Sequence, residues 1–279
     1  MGRMMKRITI LLLGWLVCSQ LSAQTYEEWI ARAMDAVEKD SLYQAEQSFK
    51  EALKLEPANM RNALVFSNLG TVQRRMGKNK EALESYSLAL NLTPYSITML
   101  LNRASLSLEM DYLDKAYLDY CNVLDLDSQN KEALQFRAYI YMRRRQYAEA
   151  RMDYRALLEI VPDDKTARIG MAMVNQKDRR YRESLEEFNR LIVDYPKDVS
   201  LLKARAELEV EMGTFEVALL DLENAVKLAP NDEEIYVMCG EIYLAQGRKR
   251  EAYVAFEKAI ELGVPRPQLQ EQLKASKGK

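Results

Sequence analysis

The apolar and small positions of this chain recur with a single period. Ala82, Ala116, Ala150, Ser184, Ala218 and Ala252 stand 34 residues apart. Gly70, Ala104, Ala138, Ala172, Ala206 and Gly240 form a second small-residue row, twelve places earlier. Aromatic side chains follow the first row by four places at Tyr86, Tyr120, Tyr154, Phe188 and Phe256. Prolines close the units at Pro94, Pro162, Pro196 and Pro230. An earlier copy, with Trp29, Ala33, Ala45, Phe49, Ala52 and Pro57, precedes the next by 37 residues, so Met60, Arg61 and Asn62 read as a three-residue insertion. A fixed period of this length means one structural unit copied in tandem. Seven copies start near Tyr26, Ala63, Ile97, Lys131, Lys165, Val199 and Glu233.

Each copy predicts two antiparallel helices. Paired small residues let two helix backbones approach to about 8–10 Å, and the aromatic side chain fills the space above them. Proline cannot continue a helix and ends the second one. Gly77, Gly213 and Gly247 fall between the helices, where a left-handed cap is useful. No pair buries its apolar faces alone, so neighbouring copies supply the core.

The pattern resembles the tetratricopeptide repeat, most fully in the second copy, with Phe66, Leu69, Gly70, Gly77, Ala82, Tyr86, Ala89 and Pro94. Ser128 in place of the closing proline and Leu222 in place of the aromatic are local departures. The resemblance implies an all-α, right-handed superhelical solenoid of about seven helix-turn-helix repeats over residues 24–264, with a C-terminal capping helix and tail over 265–279. It also implies that the first helices line a concave surface where ligands commonly lie. Carried onto this chain, that surface is a partner-binding groove of Asn102, Gln135, Phe136, Tyr139, Met142, Ile169 and Met173. Ser67, Asn68, Gln176, Lys203 and Glu207 lie along it. Its apolar middle suits a peptide segment or partner helix; the other reading is tighter packing between adjacent units. The family's carboxylate clamp for chaperone tails is broken: Asn68 and Asn102 match, but Ile30, Met34, Glu132 and Phe136 stand where its other residues would be.

The N-terminus departs from the period. Arg3, Lys6 and Arg7 precede an apolar run from Ile8 to Val17, and Leu21 to Ala23 then supplies small residues before Gln24. This order predicts a secretory leader over 1–23, cut after Ala23, and an exported, periplasmic or otherwise extracytoplasmic product. Val17 before Cys18 argues against lipidation. The remainder carries 37 Lys+Arg against 42 Asp+Glu. A mildly acidic chain is a poor phosphate-backbone binder, which argues against nucleic acid. No later run of about 20 apolar residues predicts a membrane span. Cys121 and Cys239 lie four copies apart, too far for a disulfide, and are expected as buried thiols.

The chain has no histidine. Ser-His-Asp and Cys-His nucleophile arrangements are therefore excluded, as are histidine metal ligands. No CxxC pair and no glycine-rich phosphate loop occurs. No catalytic residue, metal or cofactor is expected. One charged pattern recurs: Arg103, Arg137 and Arg205 share a repeat position, and Asp119, Asp153 and Asp221 each follow sixteen residues later. They are expected to form structural bridges across each hairpin, because a guanidinium can present two donors to one carboxylate. Basic clusters at Arg74-Arg75, Arg143 to Arg145, Arg179-Arg180 and Arg248 to Arg250 fall near first-helix ends. They complement helix dipoles there, or else form a ridge for an acidic partner. The sequence thus points to a noncatalytic scaffold or adaptor that binds a protein or peptide in cell-envelope assembly. Extracytoplasmic capture of glycan or cell-wall fragments is the alternative.

Overall fold

The computed structural model describes residues 24–277; the expected leader and its cleavage site lie outside these. The described residues form fifteen α-helices and one short 3-10 turn. Two compact units divide the chain at Ser128. The first holds three hairpins: α1 (Tyr26–Glu38) with α2 (Leu42–Leu55), α3 (Asn62–Arg75) with α4 (Asn79–Leu92), and α5 (Ile97–Glu109) with α6 (Leu113–Leu126). The second holds four: α7 (Lys131–Arg143) with α8 (Tyr147–Ile160), α9 (Lys165–Lys177) with α10 (Tyr181–Asp194), α11 (Val199–Glu211) with α12 (Phe215–Leu228), and α13 (Glu233–Ala245) with α14 (Lys249–Leu262). A 3-10 turn (Arg266–Leu269) and α15 (Gln270–Lys277) follow, and Leu269 and Leu273 bury themselves against the last hairpin. Within each unit the second helix of one hairpin packs on the first helix of the next.

Local chemistry sets the helix ends. Asn130, Asp164, Asp198 and Asp232 cap first helices by accepting backbone N–H bonds, and Thr25 and Glu28 form a reciprocal capping box. The residue ending each first helix's turn is left-handed at one repeat position. Gly77, Gly213 and Gly247 hold it with φ near 75°, while Asp111, Arg145 and Arg179 hold it at 59°. Asp40 does the same in the first hairpin.

The two small-residue rows are buried at the helix crossings, and Phe49, Tyr86, Tyr120, Phe188 and Phe256 lie fully buried beside them. At Gly240 an added Cβ would come within 2.4 Å of the Phe256 ring, so glycine is required there by close approach. The loop before α3 is more than an insertion. Asn62 is fully buried; its side chain accepts from the Tyr26 hydroxyl and donates to the Glu56 and Pro57 carbonyls.

Candidate functional site

In the second unit, α7 and α9 present Gln135, Tyr139 and Met142, and one repeat later Ile169, Met173 and Gln176. The spacing of four then three residues keeps each trio on one helix face. Tyr139 and Met173 are 40% and 41% exposed, so two large apolar side chains stand in solvent side by side in the repeat. Gln135, Phe136, Met142 and Ile169 are half-buried. Ile169 also packs onto the buried cluster around Phe188, which anchors this part of the face.

Two residues outside the expected groove hold this face in place. The Arg143 guanidinium sits 5.9 Å from the Tyr139 ring centre and donates to its hydroxyl at 3.2 Å. The Tyr154 ring packs against Gly170, where an added Cβ would fall 2.4 Å away, and its hydroxyl lies 4.0 Å from Met142 Sδ. Burial, then the neighbouring Tyr139 and Asp153, push the Tyr154 hydroxyl up to about 12. Only the repeat aromatic at 154 was visible in sequence; its pairing with a glycine of the next hairpin was not.

Other expected groove residues fare differently. Gln176 is buried and donates to Glu211 at 2.9 Å, so it belongs to the packing. Lys203 is held by Asp232 and Glu234. In the first unit, Asn102 is half-buried on α5 and makes no side-chain hydrogen bond among the described residues. Asn68 donates to Met34 Sδ at 3.7 Å, and Ser67 is buried.

The three Arg and Asp positions come together as bidentate pairs. Arg103 Nε and Nη2 each donate to Asp119 at 2.8 Å, Arg137 repeats this with Asp153 at 2.8 Å, and Arg205 donates to Asp221 at 2.7 and 2.6 Å. The aspartates are buried and the arginines half-buried. The Asp221 hydrogen bonds raise the Arg205 guanidinium above its ordinary value. In the fifth hairpin, where Met171 replaces the arginine, Glu187 is served by Arg168 at 2.6 Å. Much of the basic ridge is likewise neutralised: Arg74 pairs with Glu109, Arg75 with Asp40, and Arg248 with Glu216 and Glu251. These contacts favour the structural reading of the clusters.

Cys121 and Cys239 form no disulfide, and both are half-buried rather than fully enclosed. Among the described residues no cluster of His, Cys, Asp or Glu could hold a metal ion, and no helix is long and apolar enough to cross a membrane.

Comparison with known proteins agrees with the repeat. Family models described as tetratricopeptide repeat match residues 64–96, 137–199 and 233–262. A tetratricopeptide repeat protein from Parabacteroides merdae ATCC 43184 is 38% identical; the match covers 92% of this chain and all of that one, with a TM-score of 0.75. YrrB, titled a TPR protein with an unusual peptide-binding site, is 19% identical over 70% of this chain and 99% of its own, with a TM-score of 0.51, a likeness of fold. A UDP-N-acetylglucosamine–peptide N-acetylglucosaminyltransferase from Giardia intestinalis (strain ATCC 50803 / WB clone C6) is 37% identical over 79 residues. That stretch is 28% of this chain but only 5% of the enzyme's length. With seven consecutive packed helix pairs among the described residues, and a relative of the same repeat 38% identical over 92% of this chain, the protein belongs to the tetratricopeptide repeat family.

Proposed function

We propose that this protein is a noncatalytic scaffold or adaptor that binds a protein or peptide segment on the first-helix face of α7 and α9. The observation that carries the reading is the pair of solvent-exposed apolar side chains, Tyr139 and Met173, flanked by half-buried Phe136, Met142 and Ile169. Tyrosine and methionine are enriched at the cores of protein interfaces, and an amphipathic partner helix or extended segment reads such a row in steps. Arg143 restricts the Tyr139 ring beforehand, which lowers the ordering cost of binding.

The expected leader extends this proposal to a site of action outside the cytoplasm, in cell-envelope assembly. Glycan capture has less support. Sugar platforms use exposed aromatic faces, and Trp29 is half-buried with the Arg32 guanidinium 5.3 Å over its ring.

Crosslinking in intact cells, followed by mass spectrometry, tests the proposal. The wild-type chain should capture a reproducible protein neighbour, and Phe136→Ala with Tyr139→Ala should lose it while the helical circular dichroism signal is kept. Undiminished capture by the double variant rejects this face. Enrichment of saccharide alone supports the glycan alternative.

A further inference from the structure

The last hairpin lacks the Arg–Asp pair that three of its siblings carry. Cys239 stands where Arg103, Arg137 and Arg205 stand, and Ala255 stands where their aspartates do. The consequence is visible between the second helices α12 and α14. A slot of about 730 Å³ opens there, with Cys239 and Ala255 among its lining and Val226, Tyr236, Tyr243 and Val254 beside them. Four repeats earlier the equivalent slot, in the first unit, measures about 410 Å³ and is lined in part by Arg103 and Asp119.

The equivalent positions also say what the slot is shaped for. Arg103 Nη1 donates to Ser87, and Arg205 Nη1 donates to Asn189, each on the preceding second helix. The residue at that acceptor position in the last slot is Glu223. A third arginine acceptor is therefore retained, and charged, where the chain supplies no arginine of its own. The Glu223 side chain is exposed and makes no hydrogen bond or ion pair among the described residues. Burial first, and the Glu223 carboxylate second, push the Cys239 thiol up to about 11. The other charges on the lining are Lys227, Arg250, Glu251 and Lys258. Glu251 is bonded to Arg248, Lys258 to Glu261, and Lys227 to Asn224. Arg250 is exposed.

We propose that this slot receives an arginine side chain from a partner protein. The guest guanidinium takes Glu223 as its counter-ion, its stem lies against Val226 and Val254, and the Tyr236 ring supplies cation–π contact, since the Tyr243 ring already carries the Arg248 guanidinium 4.4 Å from its centre. The site lies between second helices and does not depend on the face of α7 and α9.

Full-length protein and fluorescein-labelled Leu-Leu-Arg-Leu-Leu amide, with its citrulline twin as the neutral isostere, test this by fluorescence anisotropy. The arginine peptide should bind about tenfold or more tightly than the twin, the scale of a charge-assisted hydrogen bond. Glu223→Gln should abolish that preference. The double variant C239R/A255D, which copies the pair found in three other hairpins, should abolish binding while the melting temperature holds or rises. Phe136→Ala with Tyr139→Ala should leave binding unchanged, which separates this site from the other face. Equal binding of the two peptides, no binding of either, or full binding by a folded C239R/A255D protein would overturn the proposal.

Discussion

Arg179 shows how a single residue can oppose its own backbone. It occupies a left-handed conformation that Gly77, Gly213 and Gly247 fill without strain at the same repeat position. An L-residue there costs about 1–2 kcal/mol, part of which a glycine returns as unfolded-chain freedom. Arg179→Gly should therefore stabilise the protein by about 0.5–1 kcal/mol in urea unfolding, and destabilisation would show that the Arg179 side chain contributes more than its backbone costs. Cys239 gives a chemical prediction at the same scale. The thiolate is the reactive form, so a thiol raised from 9.0 to about 11 should react with iodoacetamide at pH 8 about a hundredfold more slowly than an unshifted cysteine. Its rate should climb with pH through that value, and urea should abolish the protection. Peptide mapping distinguishes Cys239 from Cys121.

In three hairpins charge joins apolar packing in holding the two helices in register. Each bidentate Arg–Asp pair ties the first helix of a hairpin to its second, with the aspartate buried. Asp153→Ala removes the carboxylate counter-ion of a half-buried guanidinium and should cost about 3–5 kcal/mol. Replacing Arg137 by Leu as well should recover much of that loss, because removing both charges leaves none uncompensated. Additive losses in the double-mutant cycle would mean that the two side chains do not couple. Gly170 marks a different constraint, between successive hairpins. Gly170→Ala drives a methyl group into the Tyr154 ring and should cost about 1–3 kcal/mol. These two relations differ in legibility. The sixteen-residue Arg–Asp spacing repeats within one hairpin and can be read in sequence, whereas the Tyr154–Gly170 contact occurs once, between hairpins, and leaves no periodic trace.

Across the molecule, stability is shared between neighbours. Within each unit a hairpin leans on its neighbours, so damage should spread locally. Phe256→Ala empties the core of the last hairpin and should cost about 3–5 kcal/mol there. Hydrogen exchange should accelerate over α13 to α15 and leave α1 to α6 protected; uniform acceleration would mean that the two units unfold as one cooperative body.

The sequence by itself determined the repeat, its seven copies, the helix pairs and the Arg–Asp spacing. All of these depend on residues a fixed distance apart along the chain, and a period records such distances directly. Helix starts at Ile97, Lys131, Lys165, Val199 and Glu233 accordingly agree with the repeat starts. Only the tertiary structure decided which side chains remain open to solvent. Gln176 and Met173 look equally available in the repeat, yet one is buried against Glu211 and the other is exposed. The slot beside Cys239 has the same origin. Its size depends on how three helices converge, and a change from arginine to cysteine becomes a cavity only when the surrounding side chains do not collapse into it.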